Sequence, residues 1–182
     1  QGCPYYIFVG TISKRKNLTN TLLAFDREKT AHPSDSKLLV VGHRFWWQDE
    51  LQEAYETMRH RDDVIFLGRA DSDDLALLLG SAEALLYCSL FEGFGIPILE
   101  AFQAEVPVVT SNVTSMPEVA GDAALLVNPL SVEEIASALH LLSTEPALRD
   151  TLVARGRQRR DLFSWDRTAT LLWESMQRII PL

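Results

Sequence analysis

The sequence predicts an α/β fold, a doubly wound parallel sheet of about six strands with a helical C-terminal third. Two patterns carry this. Short apolar runs alternate with amphipathic stretches of helical period through the first two-thirds of the chain. Several of those runs are nearly continuous in Val, Ile and Leu, as strands buried on both faces must be.

The apolar runs place strands at Tyr5–Val9, Lys37–Val41, Val64–Leu67, Ala84–Cys88, Val106–Thr110 and Ala124–Val127. Helices are expected between them, near Asn17–Lys29, Asp49–His60, Ser72–Leu79, Pro97–Ala104 and Pro117–Ala120. Asn17 and Ser72 are the expected N-caps, since a short polar side chain can accept from a first-turn amide. Ser131-Val-Glu-Glu134 has the spacing of a capping box and opens a helix to about Leu142. Thr144-Glu-Pro146 interrupts and restarts it, and Ser164 caps a last helix through Ile179. The chain shows no repeat, low-complexity tract or internal linker. Residues 1–182 therefore read as one domain, long enough to bury a core without staples.

The bulk numbers exclude several classes. A composition of 47% hydrophobic and 23% charged residues is that of a globular domain. The net charge of −8 argues against a nucleic-acid partner, which calls for a basic surface. Cys3 and Cys88 are too few for a disulfide framework and read as reduced thiols. No apolar run approaches membrane-spanning length, and the start lacks a signal-peptide pattern. The chain opens at Gln1 and enters a strand almost at once, as expected for a piece of a longer protein.

The most telling stretch is Glu92-Gly-Phe-Gly-Ile-Pro-Ile-Leu-Glu100, which follows the strand run Ala84-Leu-Leu-Tyr-Cys-Ser89. Gly93 and Gly95 tolerate backbone angles and close approaches that a side chain forbids. Pro97 suits a first helical turn. The amides of Phe94, Gly95 and Ile96 then lie beside the positive end of a helix dipole, a seat for phosphate. Glu92 is left at the mouth of that loop and Glu100 one turn inside the helix. Such a site suits a ligand with an anionic middle and hydroxyl-bearing ends.

This segment resembles the E-x7-E motif of the retaining family 4 glycosyltransferases, whose two-domain architecture is called GT-B. Three further segments resemble that family in the family's order. They are Tyr6-Ile-Phe-Val-Gly-Thr-Ile-Ser-Lys-Arg-Lys-Asn17, Val64-Ile-Phe-Leu-Gly-Arg69 and Ser115-Met-Pro-Glu-Val-Ala-Gly-Asp-Ala-Ala-Leu-Leu-Val-Asn128. The resemblance implies the Rossmann-like C-terminal, donor-binding half of a GT-B enzyme, with an N-terminal acceptor domain elsewhere. It implies a nucleotide-diphosphate sugar as substrate, no cofactor, and a hexose such as mannose transferred in polysaccharide or O-antigen assembly. It implies a cytoplasmic setting, at the inner face of the membrane where acceptors are lipid-linked. The isolated domain is expected to bind nucleotide weakly and to transfer nothing.

By the same resemblance, Lys16 holds the diphosphate, with Gly10 and Thr11 in the turn before it. The family often carries Arg where this chain has Thr11, which leaves Arg15 to supply the second cation. Glu100 accepts from the ribose hydroxyls, Glu92 orients the sugar end, and Gly42, Arg69 and Ala70 border the nucleobase. Each has a plainer reading. Lys14-Arg15-Lys16 is a solvated cluster, Glu100 a helix-surface glutamate, Glu92 a partnerless loop carboxylate, and His43 a surface histidine. Asp71-Ser-Asp73 contains a D-x-D, but it precedes a helix, where capping explains it without a metal. Neither Gly93-Phe-Gly95 nor Gly10-Thr-Ile-Ser-Lys-Arg-Lys16 completes a dinucleotide or P-loop motif. Trp46-Trp47 reads as a core cap, the alternative being a contact of one of them with the N-terminal domain or a substrate. Arg155-Gly-Arg-Gln-Arg-Arg160 reads as a solvated helix face, with membrane contact as the alternative. The rival from another class is a non-catalytic binding or regulatory domain, since doubly wound sheets host many functions.

Overall fold

The computed structural model describes residues 2–43 and 50–179. Six parallel strands form one sheet in the order β3-β2-β1-β4-β5-β6. They are β1 (Tyr5–Val9), β2 (Lys37–Val41), β3 (Val64–Gly68), β4 (Ala84–Tyr87), β5 (Val108–Ser111) and β6 (Leu125–Val127). The helices are α1 (Leu18–Ala31), α2 (Glu50–Thr57), α3 (Ser72–Gly80), α4 (Ile96–Gln103), α5 (Met116–Ala120), α6 (Val132–Thr144), α7 (Pro146–Arg160) and α8 (Trp165–Ile179). The expected sheet and its helices are therefore present. Trp46 and Trp47 lie outside the described residues.

Alternation along the central strands sorts the core into two layers. Phe8 and Leu86 face one side, packed with Leu22 and Phe25 of α1 and Leu139 of α6. Ile7, Leu85 and Tyr87 face the other, packed with Ile98 and Phe102 of α4 and Met116 of α5. α1 and α4 thus lie on opposite faces of the sheet although they follow adjacent strands, β1 and β4. Their entry loops diverge there and leave a crevice at the carboxyl edge, which is where open α/β sheets take ligands.

β3 is an edge strand, with Ile65 and Leu67 exposed. Two expectations need correction. Asn17 precedes α1 in a left-handed conformation (φ 58°) and makes no side-chain cap. Its side-chain amide donates instead to the carbonyls of Cys88 (2.9 Å) and Pro129 (2.7 Å), the second of which also accepts from the Asn20 side chain. α3 is capped not by Ser72 but by Asp71, whose Oδ1 accepts from the Asp74 amide at 2.9 Å. Extended backbone at Asp71 sets its carboxylate over the first turn.

The C-terminal third follows expectation in outline. Ser131 caps α6 by accepting from the Glu134 amide at 3.1 Å. The box is only half closed, because the Glu134 carboxylate accepts from the Asn128 amide. Ser164 accepts from the Arg167 amide and starts α8. The arginine run of α7 is exposed at Arg155 and Arg157, as a solvated face should be, but its head groups are engaged. Arg155 donates to the Asp122 carbonyl, Arg157 pairs with Glu105, Arg159 donates to the Val119 carbonyl, and Arg160 to the Phe102 carbonyl. Three of these cations answer carbonyls at or just past the ends of α4 and α5, where helix ends leave acceptors short of donors, and Arg157 answers a carboxylate. α7 also comes close to α4, since a Cβ on Gly156 would stand 2.8 Å from the Phe102 ring. Among the described residues no helix is long and apolar enough to cross a membrane.

Candidate functional site

The crevice is built from two loops. The first leaves β1 at Gly10, tightens into a 3-10 turn at Lys14–Lys16, and enters α1. The second leaves β4 at Cys88 and enters α4 through Gly95, whose φ of 119° suits glycine. They are tied directly. The Leu90 amide donates to the Arg15 carbonyl at 2.8 Å, and the Arg15 guanidinium donates to the Phe91 carbonyl at 2.9 Å. Ser115, at the start of α5, clamps the second loop by donating from Oγ to the carbonyls of Glu92 (2.9 Å) and Phe94 (2.8 Å).

Lys16 is the centre of this arrangement. Its side chain crosses back over Gly10, where a Cβ would stand 2.9 Å from the lysine Cε. Gly10 is needed there because the aliphatic stem occupies the side-chain position. The ammonium is buried and lies 2.8 Å from Glu92 Oε1. It also donates to Tyr87 Oη at 2.9 Å and sits 4.4 Å from the centroid of that ring. Arg15 pairs with the other oxygen of Glu92. One carboxylate is therefore held by two cations between the loops that follow β1 and β4.

The titration of these groups follows from that packing. Burial pushes the Lys16 ammonium below its ordinary range, and the Glu92 carboxylate only partly offsets it. Burial raises the Glu92 carboxyl, but Lys16, Arg15 and Ser89 outweigh it, so the net value falls below the ordinary 4.5. Burial and the Glu92 charge raise the Tyr87 phenol, which stays neutral and can accept from Lys16. A carboxyl with a lowered folded value adds stability above its unfolded value and loses it as the pH falls. The urea midpoint advantage of the wild type over Glu92→Gln should thus be full above pH 4.5 and shrink below it. An advantage that persisted unchanged in stronger acid would show that the ion pair is not its source.

The expected site residues divide into those the fold brings together and those it leaves apart. Gly10, Arg15, Lys16 and Glu92 converge. Lys16 is not part of a solvated cluster, and Glu92 is not partnerless. Phe94, Gly95 and Ile96 form the turn into α4; among the described residues their amides donate to no group of the chain. Phe94 packs edge-on against Phe163 at 5.8 Å, which holds the turn from outside. Gly93 needs no special angle, and a Cβ there would meet nothing within 4 Å, so only Gly95 demands glycine. Thr11 is exposed beside Gly10. Glu100 lies one turn into α4 on its exposed side, where partial desolvation raises its carboxyl.

Gly42 closes the far wall. Its φ is 154°, its amide donates to the Gly68 carbonyl at 2.7 Å, and a Cβ would stand 1.9 Å from the Gly10 carbonyl oxygen. Arg69 and Ala70 follow Gly68, Arg69 being exposed and Ala70 packed on the α4 side of the sheet. His43 is exposed and contributes its carbonyl, which accepts from the Ile12 amide at 3.0 Å. Tyr87 and Ser115 are the contributors that sequence reasoning missed. Tyr87 is one aromatic in an apolar strand, and its role depends on which strand face meets Lys16. Ser115 lay inside a segment noted for its resemblance, without an assigned role.

Comparison with known proteins bears on the family and the fold. The model of the family described as glycosyl transferases group 1 matches residues 1–159. O-antigen chain mannosyltransferase B of Escherichia coli is 36% identical over 168 residues, 91% of this chain and 44% of its own length. The chain thus spans less than half of that relative. The C-terminal domain of a glycosyl transferase group 1 family protein from Francisella tularensis superposes with a TM-score of 0.75 at 25% identity. That match covers 86% of this chain and 83% of the other. HepE from Anabaena, solved with UDP-glucose, superposes with a TM-score of 0.83 over 96% of this chain and 48% of its own, and at 18% identity shows the fold alone. With a six-stranded parallel sheet whose loops converge at the switch point and a family match over residues 1–159, this protein belongs to the glycosyl transferases group 1 family.

Proposed function

We propose that this chain is the C-terminal, donor-binding half of a retaining hexosyltransferase that uses a nucleotide-diphosphate sugar. The observation that carries the reading is the buried Lys16 ammonium, held by Glu92 and Tyr87 between the loops that follow β1 and β4. A buried lysine with one carboxylate partner suits an anion that docks beside it, because the entering diphosphate adds charge where water is already excluded. Lys16 and Arg15 neutralise the diphosphate, and the amides of Phe94, Gly95 and Ile96 receive it at the start of α4. Gly10 and Thr11 line the turn. Glu100 accepts from the ribose hydroxyls, being two-pronged and acceptor-only when ionised. Gly42, Arg69 and Ala70 border the base.

In transfer, the bond between the anomeric carbon and the diphosphate oxygen breaks, and charge builds on that oxygen. Lys16 and Arg15 stabilise it. Glu92 orients the sugar and offsets the positive charge developing on its ring. The acceptor hydroxyl forms the new bond on the same face and gives its proton to the departing diphosphate oxygen. This reading assigns the charge work to side chains and amides, without a cofactor or metal; Asp71 of the D-x-D is already engaged as a cap.

The sugar proposed is mannose, in polysaccharide or O-antigen assembly, supported by the name of the Escherichia coli relative. The acceptor site belongs to an N-terminal domain of the longer protein. That placement is supported by α8, whose Trp165, Leu172, Trp173 and Ile179 stand exposed on a helix with no buried residue. The chain alone then transfers nothing. The longer enzyme acts in the cytoplasm, attached peripherally at the inner face of the membrane.

Titration of UDP, GDP and their sugars against the melting temperature tests the reading. One of them should raise it by mass action. No response to any, well above millimolar concentration, would favour a binding or regulatory domain instead. Glu100→Ala should weaken the responding nucleotide about tenfold, the loss of one good hydrogen-bonding carboxylate. It should leave the unliganded melting temperature nearly unchanged, since Glu100 is exposed. Unchanged affinity would remove its ribose role.

A further inference from the structure

A second cluster lies far from the crevice. Glu28 and His32 stand one turn apart at the end of α1, and His140 reaches them from α6. The two oxygens of Glu28 are divided between the imidazoles: Oε1 is 3.0 Å from His140 Nδ1, and Oε2 is 3.1 Å from His32 Nδ1. The rings stack with centroids 3.9 Å apart and an interplanar angle of 26°. One donor atom from each of the three groups lies within 4.8 Å of the others.

The neighbouring charges are turned elsewhere. Arg27 pairs with Glu133 at 2.8 Å, and Lys29 with Asp63 at 2.5 Å. Glu28 is largely covered, with a side-chain exposure of 13%, and among the described residues its ion-pair partners are the two histidines alone. A covered carboxylate without a lysine or arginine keeps its negative charge available to a cation.

We propose that Glu28, His32 and His140 form a divalent metal site of the zinc class. Two imidazoles and one carboxylate are a common ligand set for zinc and leave a fourth position for water. Ligand atoms about 2.0–2.1 Å from a tetrahedral ion stand roughly 3.3 Å apart. Each imidazole now faces its own oxygen of Glu28, at 3.0 and 3.1 Å, and one donor atom from each group already lies within 4.8 Å of the others, so binding draws both nitrogens in toward one ion. His32 is the C-cap of α1 and has left the helical conformation (φ −132°), so its ring can swing to bring Nδ1 onto the ion. His140 is fixed within α6. The ion joins α1 to α6 and replaces the Glu28–His140 hydrogen bond that now crosses between them, with the Glu28–His32 bond at the end of α1.

The site is structural. Twelve residues of nearly continuous helical turn separate Glu28 from Lys16, about 18 Å at 1.5 Å per residue. It takes no part in holding the diphosphate, and its fate is independent of the proposed transferase reading.

The test uses the 182-residue chain. Zinc chloride at about a hundred times the dissociation constant should raise the melting temperature by roughly 5–10 °C, reversed by chelator. One cobalt ion per chain should give the visible ligand-field bands of a four-coordinate N/O site. His32→Ala and His140→Ala should each abolish both signals while barely moving the metal-free melting temperature, because His32 is exposed and His140 half-buried. No zinc response in the unaltered chain would overturn the proposal. So would a response of equal size in the double variant, which would place the metal at other side chains. The cobalt spectrum reads binding directly, so a variant of altered stability still decides the question.

Discussion

Lys16→Met is expected to abolish high-occupancy binding of nucleoside diphosphates, lowering affinity by roughly 10- to 100-fold. One charge-assisted contact to a phosphate contributes about 1.5–3 kcal/mol. The same variant should lose stability, by about 1–3 kcal/mol, because Glu92 stays largely buried with only Arg15 to balance it. The two effects can be separated. The double variant Lys16→Met with Glu92→Gln removes the stranded charge, so its urea midpoint should recover, while affinity should not. Recovery of binding together with stability would mean that Lys16 serves the fold and not the ligand. In the longer enzyme, turnover should fall by about 10²–10³, the usual cost of losing one group that stabilises developing charge.

Gly42→Ala is expected to be the most damaging small substitution in the chain. The methyl would meet the Gly10 carbonyl oxygen at 1.9 Å and the Thr11 nitrogen at 3.2 Å, and the backbone there holds φ at 154°. Both neighbours are backbone in the loops at the carboxyl edge, so neither can rotate away. Strain of this kind costs about 3 kcal/mol, roughly a 10 °C drop in melting temperature. Displacing Gly10 also moves the wall against which the Lys16 stem lies, so nucleotide affinity should fall with stability. Gly93→Ala is the internal comparison. A Cβ there meets nothing within 4 Å, and its melting temperature should shift by no more than a degree or two. Equal damage at both positions would show that glycine content of the loops matters, and not the close approach at Gly42.

The contrast between these glycines shows where sequence reasoning stopped. Gly93 and Gly95 looked alike because both sit in one Gly-rich turn. Only Gly95 adopts a left-handed angle, because it precedes the first turn of α4. Gly42 was expected only as a border of the nucleobase, and what makes it irreplaceable is the β1 loop pressed against it from 32 residues away in sequence. Asn17 had the residue type of a cap, yet its side chain answers two buried carbonyls brought from β4 and the Pro129 loop. The arginine run of α7 read as solvated because helical period alone does not say which carbonyl ends will face it. In each case the deciding group is distant in sequence.

By itself the sequence determined the order of strands and helices and the chemistry placed at the ends of β1 and β4. Alternating apolar runs, glycines and capping residues act within a few positions of one another, so they are legible along a single chain. Only the tertiary structure decided that Lys16, Glu92 and Tyr87 share one buried contact, that Gly42 meets Gly10, and that two histidines on separate helices flank Glu28. Those pairings depend on which faces of the strands and helices are turned toward each other. That choice is made by close packing of the two core layers, a property of the whole domain that no local pattern carries.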